Sequence, residues 1–291
     1  MDIRILEYFL AVAREGSITK AAKSLNMTQP PLSRQMKDLE VEIGTPLFIR
    51  DNKTILLTEE GKILKKRAEE IVSLFEKTKR DLINPSEDVS GEILIGAAEI
   101  ESISFIANLT KTLLKKHPRI RYKLYSGDAM NIREKLDKGL IDFGLFIGQT
   151  DMNNYTYVTF PPTERWGVIM REDSELAMSD SITASQLYDK PLILVHRIAT
   201  TSEFSHWLKK DPRELNVVLT YDLAYNASLF VKKDLGYMIG LDNIVNTAIG
   251  SGLAFRPLSP SVYTDVKIAW KKNQVFGQAA RAFLEELKNS L

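Results

Sequence analysis

Apolar residues recur at three- and four-residue spacing in the first part of the chain and predict two helices. The first has one apolar stripe and ends near Gly16. Ser17 is placed to cap the second helix, whose Ala21 and Ala22 are small enough to let another helix cross closely. Asn26 favours a left-handed turn, which separates this pair from a third helix.

The third helix is predicted to begin after Thr28, a hydroxyl N-cap. Pro30 and Pro31 are tolerated in its first turn because those N–H groups have no helical partner. Its expected core face consists of Leu32, Met36, Leu39 and Ile43. Two apolar runs, 47–49 and 55–57, flank the polar tip 50–53 and predict a short β-hairpin. Three helices and a hairpin make a winged helix-turn-helix.

From Thr58 to about residue 82 the apolar or small positions alternate spacings of four and three, which is the seam of a coiled coil. The predicted dimerisation positions are Leu64, Ala68, Ile71, Phe75 and Leu82. We expect a long linker helix that pairs with a second chain; the alternative is a helix that lies on its own protein. The polar segment 84–88 then ends this helix in a linker.

After residue 91 short β-rich runs alternate with helices, which indicates a mostly parallel sheet with helices on both faces. Two similar fragments, 142–148 and 234–240, each place an apolar strand after a glycine that ends a helix, and they indicate two similar halves. The last strand, 266–270, and the helix 279–287 are expected to return to the first half.

The composition fits a cytoplasmic protein of at least two domains, because 291 residues exceed one ordinary domain. No stretch approaches the ~18 apolar residues of a membrane span, and charges interrupt the first twenty positions, so we expect neither a membrane protein nor a secretory signal. The absence of cysteine excludes disulfides, thiolate metal sites and cysteine nucleophiles. None of the three histidines has a second ligand at metal spacing, so we expect no metal and no cofactor.

A net charge of +1 does not decide whether the partner is a nucleic acid, but the positions of the basic residues do. Six of them fall on the second helix, the third helix and the hairpin: Lys20, Lys23, Arg34, Lys37, Arg50 and Lys53. The third helix also turns a polar face, with Gln29 and Ser33, away from its core stripe, and such a face fits the major groove of double-stranded DNA. The alternative is an ordinary solvated face.

Several runs together carry a family resemblance. They are Ser-Ile-Thr-Lys-Ala-Ala at 17–22, Leu-Asn-Met-Thr-Gln-Pro-Pro-Leu-Ser-Arg-Gln-Met at 25–36, and Leu-Thr-x-x-Gly at 57–61. With them, residues 1–61 resemble the DNA-binding module of LysR-type transcriptional regulators. The resemblance continues through the linker helix and, at His117-Pro118, Ser126-Gly127 and Leu136-x-x-Gly139-x-x-Asp142, through the effector domain.

The resemblance implies a multidomain chain with a winged helix-turn-helix (1–58), a linker helix and hinge (59–90), and an α/β effector domain (91–291). That domain is expected to resemble periplasmic binding proteins, with two Rossmann-like subdomains, about 91–160 with 264–291 and about 161–263. The family implies a homo-oligomer, a dimer and usually a tetramer, that binds an inverted-repeat promoter site, responds to a small-molecule metabolite and contacts RNA polymerase. The alternative is a two-lobed binding protein or enzyme without a DNA role, but the common catalytic and nucleotide-binding motifs are missing from the sequence.

By the same resemblance, DNA contacts are expected from the start of the third helix, from the wing and from the residue that follows it. These residues are Thr28, Gln29, Pro30, Ser33, Arg34, Lys37, Arg50, Lys53 and Thr58.

Ligands of open α/β sheets bind where loops leave the carboxyl ends of strands. The expected effector contacts in such loops are Glu99, Glu101, Ser102, Ser126, Gly127, Thr200, Thr201, Ser202, Leu223 and Asn226. The family places hydroxyls in the first loop, so Glu99 and Glu101 argue against a carboxylate effector there, unless an amine-bearing ligand or a nearby arginine compensates.

Structural alternatives stay open for these residues. Glu99 and Glu101 suit the first turn of a helix, 200–203 has the spacing of a capping box, 126–128 suits a strand-to-helix turn, and Asn226 suits a helix cap. The three tryptophans are expected in the core.

Overall fold

A computed structural model describes residues 1–51, 54–83, 89–148, 150–161, 163–196 and 204–291. The chain divides into two units, 1–83 and 84–291. Among the described residues no helix is long and apolar enough to cross a membrane.

The first unit begins with helices α1 (Ile3–Glu15) and α2 (Ile18–Ser24). Gly16 ends α1 in the left-handed conformation, and the Ser17 hydroxyl accepts a hydrogen bond from the Lys20 N–H to cap α2. Asn26 has a φ of 53°, so the predicted left-handed turn is confirmed. Ala21 and Ala22 are buried where α2 meets its neighbours.

Helix α3 (Gln29–Ile43) begins where the sequence predicted, but the Thr28 hydroxyl makes no capping hydrogen bond. Leu32, Met36 and Leu39 are buried in the core of this unit. The prediction for Ile43 is wrong, because its side chain is 39% exposed in the last turn, next to the Gly44 that ends the helix.

Strands β1 (Phe48–Asp51) and β2 (Thr54–Leu57) form the predicted antiparallel hairpin. The Ile55 N–H donates to the Gly16 carbonyl at 2.9 Å, so β2 is tied to the turn between α1 and α2. The Glu40 carboxylate, on α3, accepts the N–H groups of Leu47 and Phe48 at 2.8 and 3.1 Å. These bonds fix the hairpin to the helices that precede it.

Helix α4 (Glu59–Ile83) follows the hairpin and packs against α1. Ala68 is fully buried in the core of the first unit, and Leu64 packs against that core. In the first half of the apolar seam the dimerisation prediction is therefore wrong for Ala68, which the chain's own helices cover, whereas Leu64 is only partly buried and its role in pairing stays a prediction. The alternative of a helix that lies on its own protein holds for this half.

The second unit contains a five-stranded sheet in the order β4-β3-β5-β14-β6. Its elements are β3 (Ser90–Ala97), α5 (Ile103–Lys116), β4 (Arg119–Ser126), α6 (Ala129–Asp137), β5 (Phe143–Ile147), β6 (Tyr155–Thr159), β14 (Val266–Lys271) and α9 (Gln278–Asn289). Strands β4, β3 and β5 are parallel, whereas β14 is antiparallel to both β5 and β6. The C-terminal strand and helix thus return to this sheet, as predicted.

A second sheet has the order β10-β9-β11-β7-β12-β8, with β13 beside β7. Its strands are β7 (Glu164–Arg171), β8 (Ile182–Thr183), β9 (Leu192–Val195), β10 (Val217–Tyr221), β11 (Tyr237–Leu241), β12 (Leu253–Ser259) and β13 (Tyr263–Thr264). Helices α7 (Ser205–Leu208) and α8 (Ala224–Lys232) join them, with 3-10 turns at Glu175–Met178, Ala184–Leu187 and Pro212–Glu214.

The two sheets repeat one topology, since β4-β3-β5 and β10-β9-β11 are both parallel triplets with the first strand in the middle. One strand of each sheet, β14 or β7, runs antiparallel to both of its main neighbours, so the sheets are mixed. The predicted parallel pairing holds for both triplets and for β12 with β8. For the second fragment, 234–240, the prediction that a glycine ends the preceding helix is also wrong. Asp234, with a φ of 62°, makes the left-handed turn after α8. Strand β6 was missed because its exposed positions interrupt the apolar pattern.

Two buried carboxylates hold the strand ends of this unit. Asp142 accepts the Leu94 N–H at 2.9 Å, and its own N–H donates to the Leu94 carbonyl at 2.8 Å. Glu164, at the start of β7, accepts both the N–H of Ser102, at 2.8 Å, and the Ser102 hydroxyl. This second contact joins the loop after β3 to the strand that begins the second sheet.

Among the glycines of the first unit, Gly61 leaves the least space for a Cβ. A Cβ at this position would lie 2.2 Å from the Leu47 carbonyl oxygen. We expect Gly61→Ala to lower the free energy of unfolding of residues 1–83 by about 1–3 kcal/mol, because this clash outweighs the better helix propensity of alanine. Hydrogen exchange within 1–83 measures the effect, with the exposed Glu60→Ala as the control. Equal protection in both variants would contradict the clash.

The Ser102–Glu164 contact gives a second prediction. Glu164→Ala leaves two buried donors of Ser102 without an acceptor, so it should destabilise the second unit by about 1–3 kcal/mol. Urea unfolding followed by tryptophan fluorescence reports on this unit, which holds all three tryptophans. The control is Glu101→Ala, at an exposed position of the same loop. A Glu164→Ala midpoint equal to that of the control would refute the role of this contact.

Candidate nucleic-acid interface and ligand cleft

Helix α3 is held by one face only. Its apolar side chains Leu32, Met36 and Leu39 are buried, while Thr28, Gln29, Pro30, Arg34 and Lys37 are exposed and Ser33 is half-buried. The predicted polar face is therefore mostly exposed to solvent within the first unit. Its amides, hydroxyls and cations are the groups that bind base edges and phosphates in a DNA groove.

Arg34 keeps its guanidinium in solvent. Its side chain is 85% exposed, and its Nε lies 3.9 Å from the Asp38 carboxylate, one turn further along α3. Such an exposed and long ion pair contributes little, so the guanidinium can leave Asp38 for a phosphate or a guanine at small cost.

The wing residues are only partly described. Arg50 lies within β1 and not in the turn, its side chain is not described, and Lys53 lies outside the described residues. Thr58 uses its hydroxyl inside the protein: it donates to the Pro46 carbonyl at 2.8 Å and accepts the Gly61 N–H at 3.0 Å. Thr58 therefore has a structural role at the start of α4, and a phosphate would have to compete with those bonds.

Helix α4 exposes apolar side chains that its own unit does not cover. The residues are Ile63, Ile71, Leu74, Phe75 and Leu82, and we call them the α4 stripe. Phe75 is 44% exposed and Leu82 76% exposed. Three of the predicted dimerisation positions, Ile71, Phe75 and Leu82, belong to this stripe.

A cavity of about 550 Å³ lies in the second unit where loops leave the two sheets. Loops after β3, β4, β5, β9 and β10 line it, which is where ligands of open α/β sheets bind. Its apolar walls include Phe146, Ile147, Trp166, Leu241 and Ile244. We call it the cleft.

Glu99 crosses the cleft. Its carboxylate leaves the loop after β3 and accepts the backbone N–H groups of Ala224 and Tyr225, the latter at 3.3 Å, in the first turn of α8. Beside it, burial and the Glu99 charge raise the pKa of Tyr221, whose hydroxyl donates to the Ile239 carbonyl at 2.8 Å. The alternative that Glu99 and Glu101 lie in the first turn of the following helix is wrong, because α5 begins only at Ile103.

Of the predicted effector residues that the structure describes, only Glu99 lines the cleft. Thr200, Thr201, Ser202 and the capping box at 200–203 lie outside the described residues. Glu101 and Ser102 line a separate pocket of about 350 Å³, and both donors of Ser102 are used by Glu164. Ser126 and Gly127 form the strand-to-helix turn before the α6 N-cap Asp128, as the structural alternative proposed.

The remaining two positions lie on α8. Leu223 is its N-cap residue, and Asn226 is an exposed residue inside it, so neither lines the cleft. The cleft is lined instead by polar residues that the sequence reasoning did not select: Asp128, Arg133, Thr150, Asp151, His196 and Asp222. Position after a strand was the available signal for Asp128, Thr150, His196 and Asp222. Trp166 belongs to the core, as predicted, and also lines the cleft.

No group of three or more metal-ligating side chains occurs in the part of the chain that the structure describes.

Family models match almost the whole chain. Residues 3–62 match the bacterial regulatory helix-turn-helix protein model of the lysR family, and residues 86–291 match the LysR substrate binding domain.

Individual proteins give the same result. The chain is 28% identical over 291 residues to the uncharacterized HTH-type transcriptional regulator YvbU of Bacillus subtilis, over 99% of this chain and 98% of that protein. It is 30% identical over 223 residues to the regulator BsdA of the same organism, over 73% of this chain and 75% of that protein. Among solved structures, full-length CbnR in complex with its target DNA superposes with a TM-score of 0.77 over 100% of both chains at 21% identity, which is a likeness of fold.

These relatives are transcriptional regulators, and nothing in them supports the alternative of a two-lobed enzyme or binding protein without a DNA role. The chain belongs to the LysR family of bacterial transcriptional regulators, with an N-terminal DNA-binding domain and a C-terminal effector-binding domain.

Proposed function

We propose that this regulator reads an inverted-repeat promoter site with the exposed face of α3. The observation that carries the proposal is the one-sided burial of α3, which leaves Gln29, Ser33 and Arg34 free to meet base edges or phosphates. Thr28 is the N-cap residue of the helix and Pro30 lies in its first turn, where of residues 29–31 only Gln29 has an N–H that a phosphate could accept. Lys37 and the wing, with Arg50 and Lys53, would add backbone contacts.

The regulator acts as a dimer joined through the α4 stripe and, as is usual in the family, two dimers form a tetramer. Exposed Ile71, Phe75 and Leu82 support this pairing, because a helix in water gains by covering apolar side chains of this size. A two-fold dimer matches the symmetry of an inverted repeat. We further propose that it works in the cytoplasm and contacts RNA polymerase.

The cleft holds the effector. Its volume falls within the 300–1,000 Å³ typical of small-molecule sites, and its mixture of apolar walls and a few polar groups is the usual one. Because Glu99 connects the loop after β3 to α8, a ligand beside it would favour one arrangement of the two sheets over another. Such differential affinity would change the spacing of the DNA-binding domains in the oligomer.

Arg34→Ala tests the DNA contact. We expect it to weaken binding to the DNA that flanks the regulator's own gene by about 1–3 kcal/mol, with altered base preference if Arg34 reads a base, or with a shallower salt slope if it holds phosphate. Fluorescence anisotropy at two salt concentrations measures both effects. The matched control is Arg4→Ala, because Arg4 is an exposed arginine of α1 that pairs with Asp2. Equal affinity of both variants and the wild type would remove Arg34 from the interface.

Phe75→Glu tests the dimer. A charge within the α4 stripe should raise the dimer dissociation constant by at least about tenfold, because a buried carboxylate without a partner is costly. Sedimentation velocity over a dilution series gives the constant, and circular dichroism checks the fold. Ser73→Glu adds the same charge at an exposed position of α4 outside the stripe and should leave the dimer intact. A Phe75→Glu protein that dimerises like the wild type would contradict the pairing.

A further inference from the structure

The cleft carries an excess of negative charge. Among its described lining residues are four carboxylates, Glu99, Asp128, Asp151 and Asp222, and one guanidinium, Arg133. A ligand that enters the cleft therefore meets a field that attracts cations and repels anions.

Three of these carboxylates keep hydrogen-bond acceptor capacity that the described residues do not use. Asp128 caps α6 by accepting the Asn131 N–H at 2.8 Å, and Asp151 accepts the Asn153 N–H at 3.0 Å. Asp222 is exposed and makes no hydrogen bond or ion pair within the described part of the chain. A carboxylate accepts up to four hydrogen bonds, so each of these residues keeps acceptor capacity for a ligand.

One position of the cleft that suits an anion, the first turn of α8, is already occupied. The first turn of α8 offers backbone N–H groups and the positive end of a helix dipole, which together form a natural carboxylate site. Glu99 fills it from the opposite side of the cleft. A carboxylate ligand would have to displace Glu99, and it would then lie next to that displaced charge in a partly enclosed cavity.

Arg133 does not reverse the excess of negative charge in the cleft. Its guanidinium donates to the Asp151 carbonyl at 3.0 Å and lies 5.9 Å from the centre of the Tyr155 ring. These contacts orient it along the cleft wall, and a single positive charge faces four negative ones.

We propose that the cleft selects a small molecule with a protonated amine or guanidinium on an apolar body, and that Glu99 sets this preference by filling the anion position of α8. The proposal rests on the proposed function, in which the cleft holds the effector. The apolar body would lie against Phe146, Trp166 and Ile244, and the cation would lie among Glu99, Asp128 and Asp222. Charge-assisted hydrogen bonds of this kind are among the stronger polar contacts.

Matched pairs of probes test the charge preference on the full-length protein. Phenethylamine and butylamine carry an ammonium group, hydrocinnamate and valerate place a carboxylate on the same hydrocarbon, and phenethyl alcohol is neutral. At millimolar concentration the amines should raise the melting temperature and give saturable heats of binding, because a ligand that binds only the folded state stabilises it. The carboxylates and the alcohol should do neither.

Three variants test which residues set the preference of the cleft for amines. Glu99→Gln keeps an acceptor for the α8 N–H groups but removes the charge, and Asp222→Asn changes an exposed group with no partner in the described residues. Both should weaken amine binding about tenfold or more, and Glu99→Gln should also admit the carboxylates. Glu101→Gln is the matched control, since Glu101 lies on the same loop as Glu99 but lines the separate pocket, and it should bind amines like the wild type.

Three results would overturn the proposal: stabilisation by the carboxylates but not the amines, no binding of any amine, or unchanged amine affinity in both Glu99→Gln and Asp222→Asn. DNA binding by the same preparations, measured in parallel, keeps the two proposals apart. A protein that binds its DNA but prefers carboxylates refutes the amine preference alone, whereas a folded protein that binds amines but no flanking DNA refutes the proposed function.

Discussion

The one-sided attachment of α3 is the constraint from which the DNA-binding domain follows. Three apolar side chains, Leu32, Met36 and Leu39, fasten the helix to α1 and α2, and the Glu40 carboxylate ties its far end to the hairpin. Because all the burial lies on one side, the polar side is presented to solvent in a fixed orientation. Recognition of a duplex needs such a rigid, exposed helix face, and a more deeply packed α3 would have no polar face left to contact DNA.

In the effector domain the corresponding constraint is the contact of Glu99 with α8. Two sheets of the same topology each end in loops on the cleft, and this carboxylate connects a loop of one sheet to the first helical turn beside the other. The buried Glu164 makes a second connection through Ser102. A ligand bound in the cleft, as proposed, would act on groups that already join the two halves, and local binding could then change the domain geometry.

Local patterns were sufficient for the helices, the hairpin, the capping Ser17 and the turn at Asn26, because those features depend on neighbours within a few residues. Two of the errors concern partners far away in sequence. Ala68 fitted a coiled-coil seam but is buried by its own domain, and Ser102 fitted a ligand loop but bonds Glu164, 62 residues away. Glu99 lines the cleft, yet its partner on α8, 125 residues away, is visible only in three dimensions.

The central claim, that the α3 face enters the DNA groove, is tested most directly by cleavage from a tethered reagent. The chain contains no cysteine, so Ser33→Cys provides a unique site for an iron chelate, and Ser73→Cys on α4 provides the comparison. With the promoter site bound, the account predicts strand breaks from position 33 concentrated within each half of the inverted repeat and none from position 73. Bound DNA that is cut no more from position 33 than from position 73 would contradict it.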